Sequence, residues 1–356
     1  MQQFDNLLRD GLRAVTNTTL SDIQWLQATL PIKEGGLGIR KVSTLAISAF
    51  LASAAGTQSI QADLLSNCNV TVDIHYTRFV QLWESRHGSI PITLPVAKQS
   101  AWDRPSVEHD KATVLNHSSD AHHRARMSAI LSDHSSDWLF ALPITSCGLR
   151  LSNDAVRIAV GIRLGANICV PHTCSCGASV DCRGVHGLSC KLAPGRIPRH
   201  CAVNDLIAQA LARAQIPNCK EPSGLSRTDG KRPDGVTLVP WSHGQALTWD
   251  VTVIDTLAES YLTNQTITSA AETAASRKIL KYSNLPDFYQ FQPVAIETLG
   301  RLNDSALDFL NELGRRLANV TGDKREKSYL FQRLSITIQR FNAVACLSSL
   351  NFSTAE

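Results

Sequence analysis

Residues 230–255 read GKRPDGVTLVPWSHGQALTWDVTVID. Two β-prone runs, Val236–Val239 and Ala246–Ile254, flank the segment PWSHGQ. Its Pro, Ser and Gly mark a hairpin connection. Asp234 follows Pro233 at the start of the first run, and Asp250 lies inside the second, after Trp249. In an antiparallel pair the start of one strand lies beside the end of the next, so the two acids can meet across the sheet. Asp250 is the telling residue. A carboxylate within the otherwise apolar or β-prone run Leu247–Ile254 is costly unless paired or bound to metal. Two converging carboxylates suit Mg²⁺, which takes one or two of them with waters and a substrate phosphate. Such an ion activates water and neutralises charge on a phosphodiester. The plainer alternative is a turn Asp after Pro and a second Asp that faces solvent. Asp229 and Asp255 read as ordinary turn or cap residues.

From residue 201 onward the pattern is orderly. An amphipathic helix, HCAVNDLIAQALARAQI, precedes a short β-like run at Cys219–Pro222 and then the hairpin. A helix at 266–282, a strand at Phe288–Glu297, and helices at 304–319 and 323–347 follow. The order α-β-β-β-α-β-α, with one more helix, predicts an α/β (α+β) domain at 201–350, its mixed sheet covered by helices on both faces. Upstream, residues 1–85 read as helical, with Leu7, Leu8, Leu12 and Val15 near the 3.6-residue period and a second helix at Val42–Ala55. Residues 86–168 read as linker plus helices. Within them 86–120 is rich in Pro, His and Ser, and 121–142 and 152–164 are helical. No internal repeat is evident.

Composition narrows the classes. The chain has 356 residues, 43% hydrophobic and 19% charged, which excludes a wholly disordered protein. At ~150 residues per domain this length implies about two domains. Thirty-five basic and 31 acidic residues leave a net charge of +4, which permits a nucleic-acid partner without arguing for one. The N-terminus reads as an amphipathic helix rather than a secretion signal, and no apolar run is long enough to span a bilayer. The expectation is a nuclear or cytoplasmic protein, not secreted, with no membrane partner.

Six of the ten cysteines fall between Cys169 and Cys201, in a segment dense in Gly and His that has no periodicity. Clustering of this kind in a long chain points to metal rather than to a disulfide framework. Cys174, Cys176, His186 and Cys190 offer three thiolates and an imidazole, with glycines between them for tight turns, as a structural zinc site needs. Cys182 can replace Cys176, while His172 and Cys169 lie further off. The competing reading is reduced cysteines packed as small hydrophobes. The segment 169–200 is thus a zinc-knuckle-like insert that holds a loop or grips nucleic acid.

Taken in order, these motifs resemble one family. An H-x3-C knuckle is followed by Arg199-His200 with Asn204 close behind, then R-P-D-x15-D, then a helix carrying Lys278, Lys281 and Tyr282. This is similar to the restriction-like endonuclease domain of site-specific non-LTR retrotransposons, within the PD-(D/E)xK nuclease superfamily. The likeness covers residues 170–350. The segment 30–54, LPIKEGGLGIRKVSTLAISAFLASA, resembles the region that follows the polymerase in those elements. No polymerase motif is present, so the chain looks like a C-terminal fragment or a domesticated remnant.

The resemblance implies a Mg²⁺-dependent endonuclease that nicks DNA, with DNA and element RNA as partners and no small-molecule substrate. It implies Asp234 and Asp250 as the metal-binding acids and Lys278 or Lys281, beside Tyr282, as the catalytic amine. Those lysines lie three apart on one helical face. The superfamily's Lys two residues after the second acid is replaced here by Thr252. Glu221 is a further candidate ligand. Arg199 and His200 correspond to residues linked to nucleic-acid contact, and Arg227, Lys231 and Arg232 add basic charge around the expected cleft. Two alternatives remain: a zinc-knuckle binding remnant without catalysis, and a structural or regulatory protein with reduced thiols.

Overall fold

The computed structural model describes residues 1–66, 74–88, 97–118, 120–225, 232–262 and 269–350. The chain divides into two compact units, Met1–Val15 with Leu20–Ser118, and Thr16–Thr19 with Ser119–Glu356. The first is helical: α1 (Gln2–Thr16), α2 (Asp22–Thr29), α3 (Val42–Leu64), α4 (Ile74–His87) and α5 (Gln99–Asn116). Ser21 and Gln24 form a reciprocal capping box at the start of α2. Asp5 on α1 accepts from the Val42 and Ser43 amides and so caps α3 from a distance. Trp83 and Trp102 meet edge to face, with Ile47 and Leu51 around them. Part of the expected linker is therefore an ordered helix. The polar residues of α5 hide its period, and its buried positions are Trp102, Asp103 and Val114.

The second unit contains α6 (Ala121–Ile130), α7 (Asn153–Leu164), a small antiparallel pair β1 (His172–Thr173) and β2 (Ser179–Val180), and α8 (Arg196–Arg213). Then come β3 (Asn218–Lys220), β4 (Gly235–Ser242), β5 (Gln245–Ile254), α9 (Glu259–Leu262), α10 (Ala270–Lys281), β6 (Tyr289–Glu297), α11 (Asp304–Thr321) and α12 (Glu326–Leu347). The expected helix at 121–142 stops at Ile130, and short turns follow. Among the described residues no helix is long and apolar enough to cross a membrane.

The larger sheet has the order β3-β4-β5-β6. The first two junctions are antiparallel and the third is parallel, so the crossover through α9 and α10 is a βαβ connection. The hairpin turns at His243 and Gly244, with φ of 49° and 77°. Two central residues of positive φ match the right-handed twist of the strands they join.

Strand alternation then assigns the faces. Leu247, Trp249 and Val251 of β5 join a core with residues of α8, α11 and α12. On the other face Ile254 packs with Ala271, Ala274 and Ala275 of α10 and Ala295 of β6. Asp250 shares the parity of Ile254 and so looks toward α10. The small side chains of α10 let that helix lie close to the sheet. The mixed sheet covered by helices on both faces is thus present, as the element order predicts.

One close approach fixes the start of β4. A Cβ added to Gly235 would stand 2.0 Å from the Trp249 ring, because the indole of the paired residue lies across it. Gly235→Ala should therefore cost about 3 kcal/mol or more of unfolding free energy. Urea denaturation checks this, and an unchanged midpoint would refute the tight seat.

Candidate acid site and metal centre

Pairing of β4 with β5 brings the two acids together. Asp234 donates its amide to the Trp249 carbonyl, and its own carbonyl accepts from the Glu221 amide, so its backbone is held from both sides. Asp234 Oδ2 accepts from the Val251 amide at 2.6 Å, and His200 Nε2 of α8 lies 3.1 Å from the same oxygen. Asn204, one turn further along α8, donates to the Asp234 carbonyl at 3.3 Å and accepts from the Trp249 indole N–H at 2.8 Å.

Asp250 is only 3% exposed, and α10 serves both of its oxygens. Lys278 pairs with Oδ1. The Tyr282 hydroxyl lies 2.7 Å from Oδ2 and 2.8 Å from the Arg232 carbonyl. Lys281 donates to the Tyr282 hydroxyl at 2.7 Å and stands 3.7 Å from Asp250 Oδ2. Lys278 touches Asp250 most directly, and Lys281 reaches it chiefly through the phenol. Both lysines lie in the last turn of α10, where the helix dipole favours cations.

Electrostatics tie the acids to each other. Burial, and then the charge of Asp250, push the Asp234 carboxyl up to about 6. The Val251 amide, His200 and Lys278 act in the opposite sense. An acid with this environment is a functional-site candidate.

The other expected residues fall as follows. Glu221 is exposed, has a φ of 49°, and turns its carboxylate to the exposed Arg232. It contributes its amide, not its carboxylate, to the acid site. Arg227 and Lys231 lie outside the described residues. Among the described residues the buried Thr252 hydroxyl oxygen has no hydrogen-bond partner, and Thr252 shares the strand face that looks toward α10. Asp255 makes the expected local turn, accepting from the Leu257 amide at 3.1 Å, yet it is buried and bonds Thr298 as well.

Arg199 differs most from expectation. It is 2% exposed. Its guanidinium donates to Asn342 Oδ1 of α12 at 2.8 Å and to the Leu188 carbonyl at 3.2 Å. Burial lowers its pKa, and nearby Asp255 offsets part of that. Arg199 fastens three segments together and is not free to meet a phosphate. Its neighbour His200 faces Asp234 instead. The sequence holds a signal for this α8 face that its pattern did not reveal: residues 200 and 204 are one turn apart.

The thiol cluster is a second centre. The ligand atoms of Cys174, Cys176, His186 and Cys190 all lie within 4.8 Å of one another. Cys174 and Cys190 sulfurs are 3.9 Å apart, and Cys176 Sγ is 3.2 Å from His186 Nε2. A tetrahedron with metal–sulfur bonds of about 2.3 Å places its sulfurs roughly 3.8 Å apart, so the donor set fits zinc. The turn between β1 and β2 supplies the first two ligands and a helical turn at Val185–Leu188, continued to Cys190, supplies the others. Hydrogen bonding, led by the Cys176 amide, lowers the Cys174 thiol to about 6, which favours the thiolate a metal needs. Cys182 is engaged elsewhere, 3.0 Å from Asn167 Oδ1, and His172 bonds Val170.

No protein-family model matches the chain, and no curated protein matches it in sequence.

Two measurements follow from this geometry. Purified protein should contain one equivalent of zinc by atomic spectroscopy. Cys190→Ser should lose the metal and lower the melting temperature, and full zinc retention would count against this ligand set. The second concerns Asp234. Its folded-state pKa lies above that of the unfolded chain, so the folded protein holds a proton between about pH 4 and 6 that the unfolded chain releases. Its ionisation therefore opposes folding in full above about pH 6 and not at all below about pH 4. Asp234→Asn should be more stable than wild type at pH 8 by about 1–2 kcal/mol, with the gap closing toward pH 4. A pH-independent difference would contradict the burial argument.

Proposed function

We propose that this chain carries a PD-(D/E)xK-like, metal-dependent endonuclease domain that nicks DNA by phosphodiester hydrolysis. On this reading it derives from a retrotransposon protein. The observation that carries the reading is the meeting of Asp250 with Lys278 and Tyr282 beside Asp234. Two acids from a hairpin and an amine from the crossover helix are what the motif resemblance requires. The strand and helix order α8-β3-β4-β5-α10-β6 is in keeping with it.

The donor chemistry fits magnesium: two hard carboxylates, one of them held reluctantly charged by burial and by its neighbour. Held by Asp234 and Asp250, the ion would supply a more acidic water and charge neutralisation at the phosphate. The protein's own groups do the rest. Lys278 offsets the charge of Asp250 and stands ready to orient the attacking water or to stabilise developing negative charge. Lys281 polarises the Tyr282 hydroxyl. Arg232, exposed beside the site, offers charge to the DNA backbone. By the same resemblance the products carry 5′-phosphate and 3′-hydroxyl ends, the zinc knuckle helps to place nucleic acid, and the site of action is the nucleus.

A second reading, a binding remnant without catalysis, draws on Thr252 standing where the superfamily has its lysine. Incubation of the full chain with supercoiled DNA and Mg²⁺ separates the two. Wild type should nick, and Asp250→Asn should be slower by at least ~100-fold with DNA binding retained. Binding by both proteins with nicking by neither would leave only the remnant.

A further inference from the structure

One face of α8 carries both His200 and Asn204. His200 Nε2 lies 3.1 Å from Asp234 Oδ2. Asn204, 7% exposed, spans two strands: its amide donates to the Asp234 carbonyl and its oxygen accepts from the Trp249 indole. The residues are four apart, so one helix face grips one aspartate at both its side chain and its backbone.

The same helix is itself immobilised. Arg199 ties its first turn to Asn342 of α12 and to Leu188 beside the Cys and His ligands. Val203, Leu206 and Ile207 of the same helix are buried in the main core. A ligand fixed from a rigid, packed helix keeps its orientation better than one left on a strand end.

We propose that His200 and Asn204 are positioning residues for Asp234, and that His200 is not a nucleic-acid contact. This rests on the reading of Asp234 as a metal-holding acid in the nuclease proposal. His200 supplies a donor that selects one carboxylate rotamer, with Oδ2 turned to the Val251 amide and Oδ1 left for a ligand. Asn204 sets the register of β4 against β5 at the level of Trp249. Neither residue touches substrate in this account. Outer partners of this kind are commonly worth 10- to 100-fold in metal affinity or activity.

The test uses the full chain and two variants, His200→Phe, which keeps ring bulk without a donor, and His200→Gln, which restores an N–H donor. The first readout needs neither metal nor DNA. In ¹H–¹⁵N spectra, the Val251 amide should shift in His200→Phe and return toward its wild-type position in His200→Gln, while the Trp249 indole signal stays put. The second readout is nicking of supercoiled DNA with Mg²⁺. His200→Phe should lower kcat by about 10- to 100-fold at unchanged KM, with most of the rate recovered in His200→Gln. An unmoved Val251 amide overturns the proposal. So does a raised KM at unchanged kcat, which is the signature of a lost DNA contact. A shifted Val251 amide in a chain that nicks under no condition would uphold the positioning role and sink the nuclease reading alone.

Discussion

A carboxylate on a buried inner strand must be offset by something, and the second unit is organised around that requirement at Asp250. Its charge is met by an ammonium from Lys278 and a hydroxyl from Tyr282, both brought by α10. For those groups to arrive, the helix must lie close, and Ala271, Ala274 and Ala275 allow it. For the second acid to join them, β4 must begin where Trp249 leaves no space for a Cβ, and Gly235 provides that. A buried pair of this kind is a poor way to gain stability. The raised pKa of Asp234 points the same way, since its ionisation opposes folding at neutral pH. An arrangement that costs stability fits a site kept for chemistry.

The thiol cluster is linked to the helix beside the acids through Arg199. Its loops lack a sizeable core, and a metal is the usual remedy. They also sit tightly on α12: a Cβ on Gly187 would come within 2.5 Å of the Ala345 carbonyl. Arg199 then joins Leu188, α8 and α12 through hydrogen bonds in a buried setting. The cluster, the terminal helix and the helix that holds Asp234 therefore form one connected support.

Much of this was legible in the residue pattern, and the losses have identifiable causes. The hairpin is legible as two β-prone runs flanking PWSHGQ, and the crossover helix and the last two helices follow it in the expected order. Helix α5 is hard to read because most of its residues are polar and it carries Pro105, while its buried positions, Trp102, Asp103 and Val114, include a charged residue. The burial of Arg199 is not legible locally, because a charged residue at a helix start is normally solvated. Only the distant partners Asn342 and Leu188 make its burial tolerable, and nothing local announces them. Asp255 reads as a turn residue and is one, but it also bonds Thr298, 43 residues away, in a buried setting.

By itself the sequence determined which side chains were available for chemistry and on which elements they would ride. Spacing placed two acids on paired strands, two lysines on one helical turn, and three thiols with an imidazole in one short loop. It could not determine distances between elements far apart in the chain. Tertiary packing decided that Lys278 meets Asp250 directly while Lys281 works through Tyr282, that Glu221 turns away to Arg232, and that His200 and Asn204 grip Asp234. The physical reason is that local propensity and periodicity act over a few residues, whereas these partners are set by how closely α8 and α10 can approach the sheet.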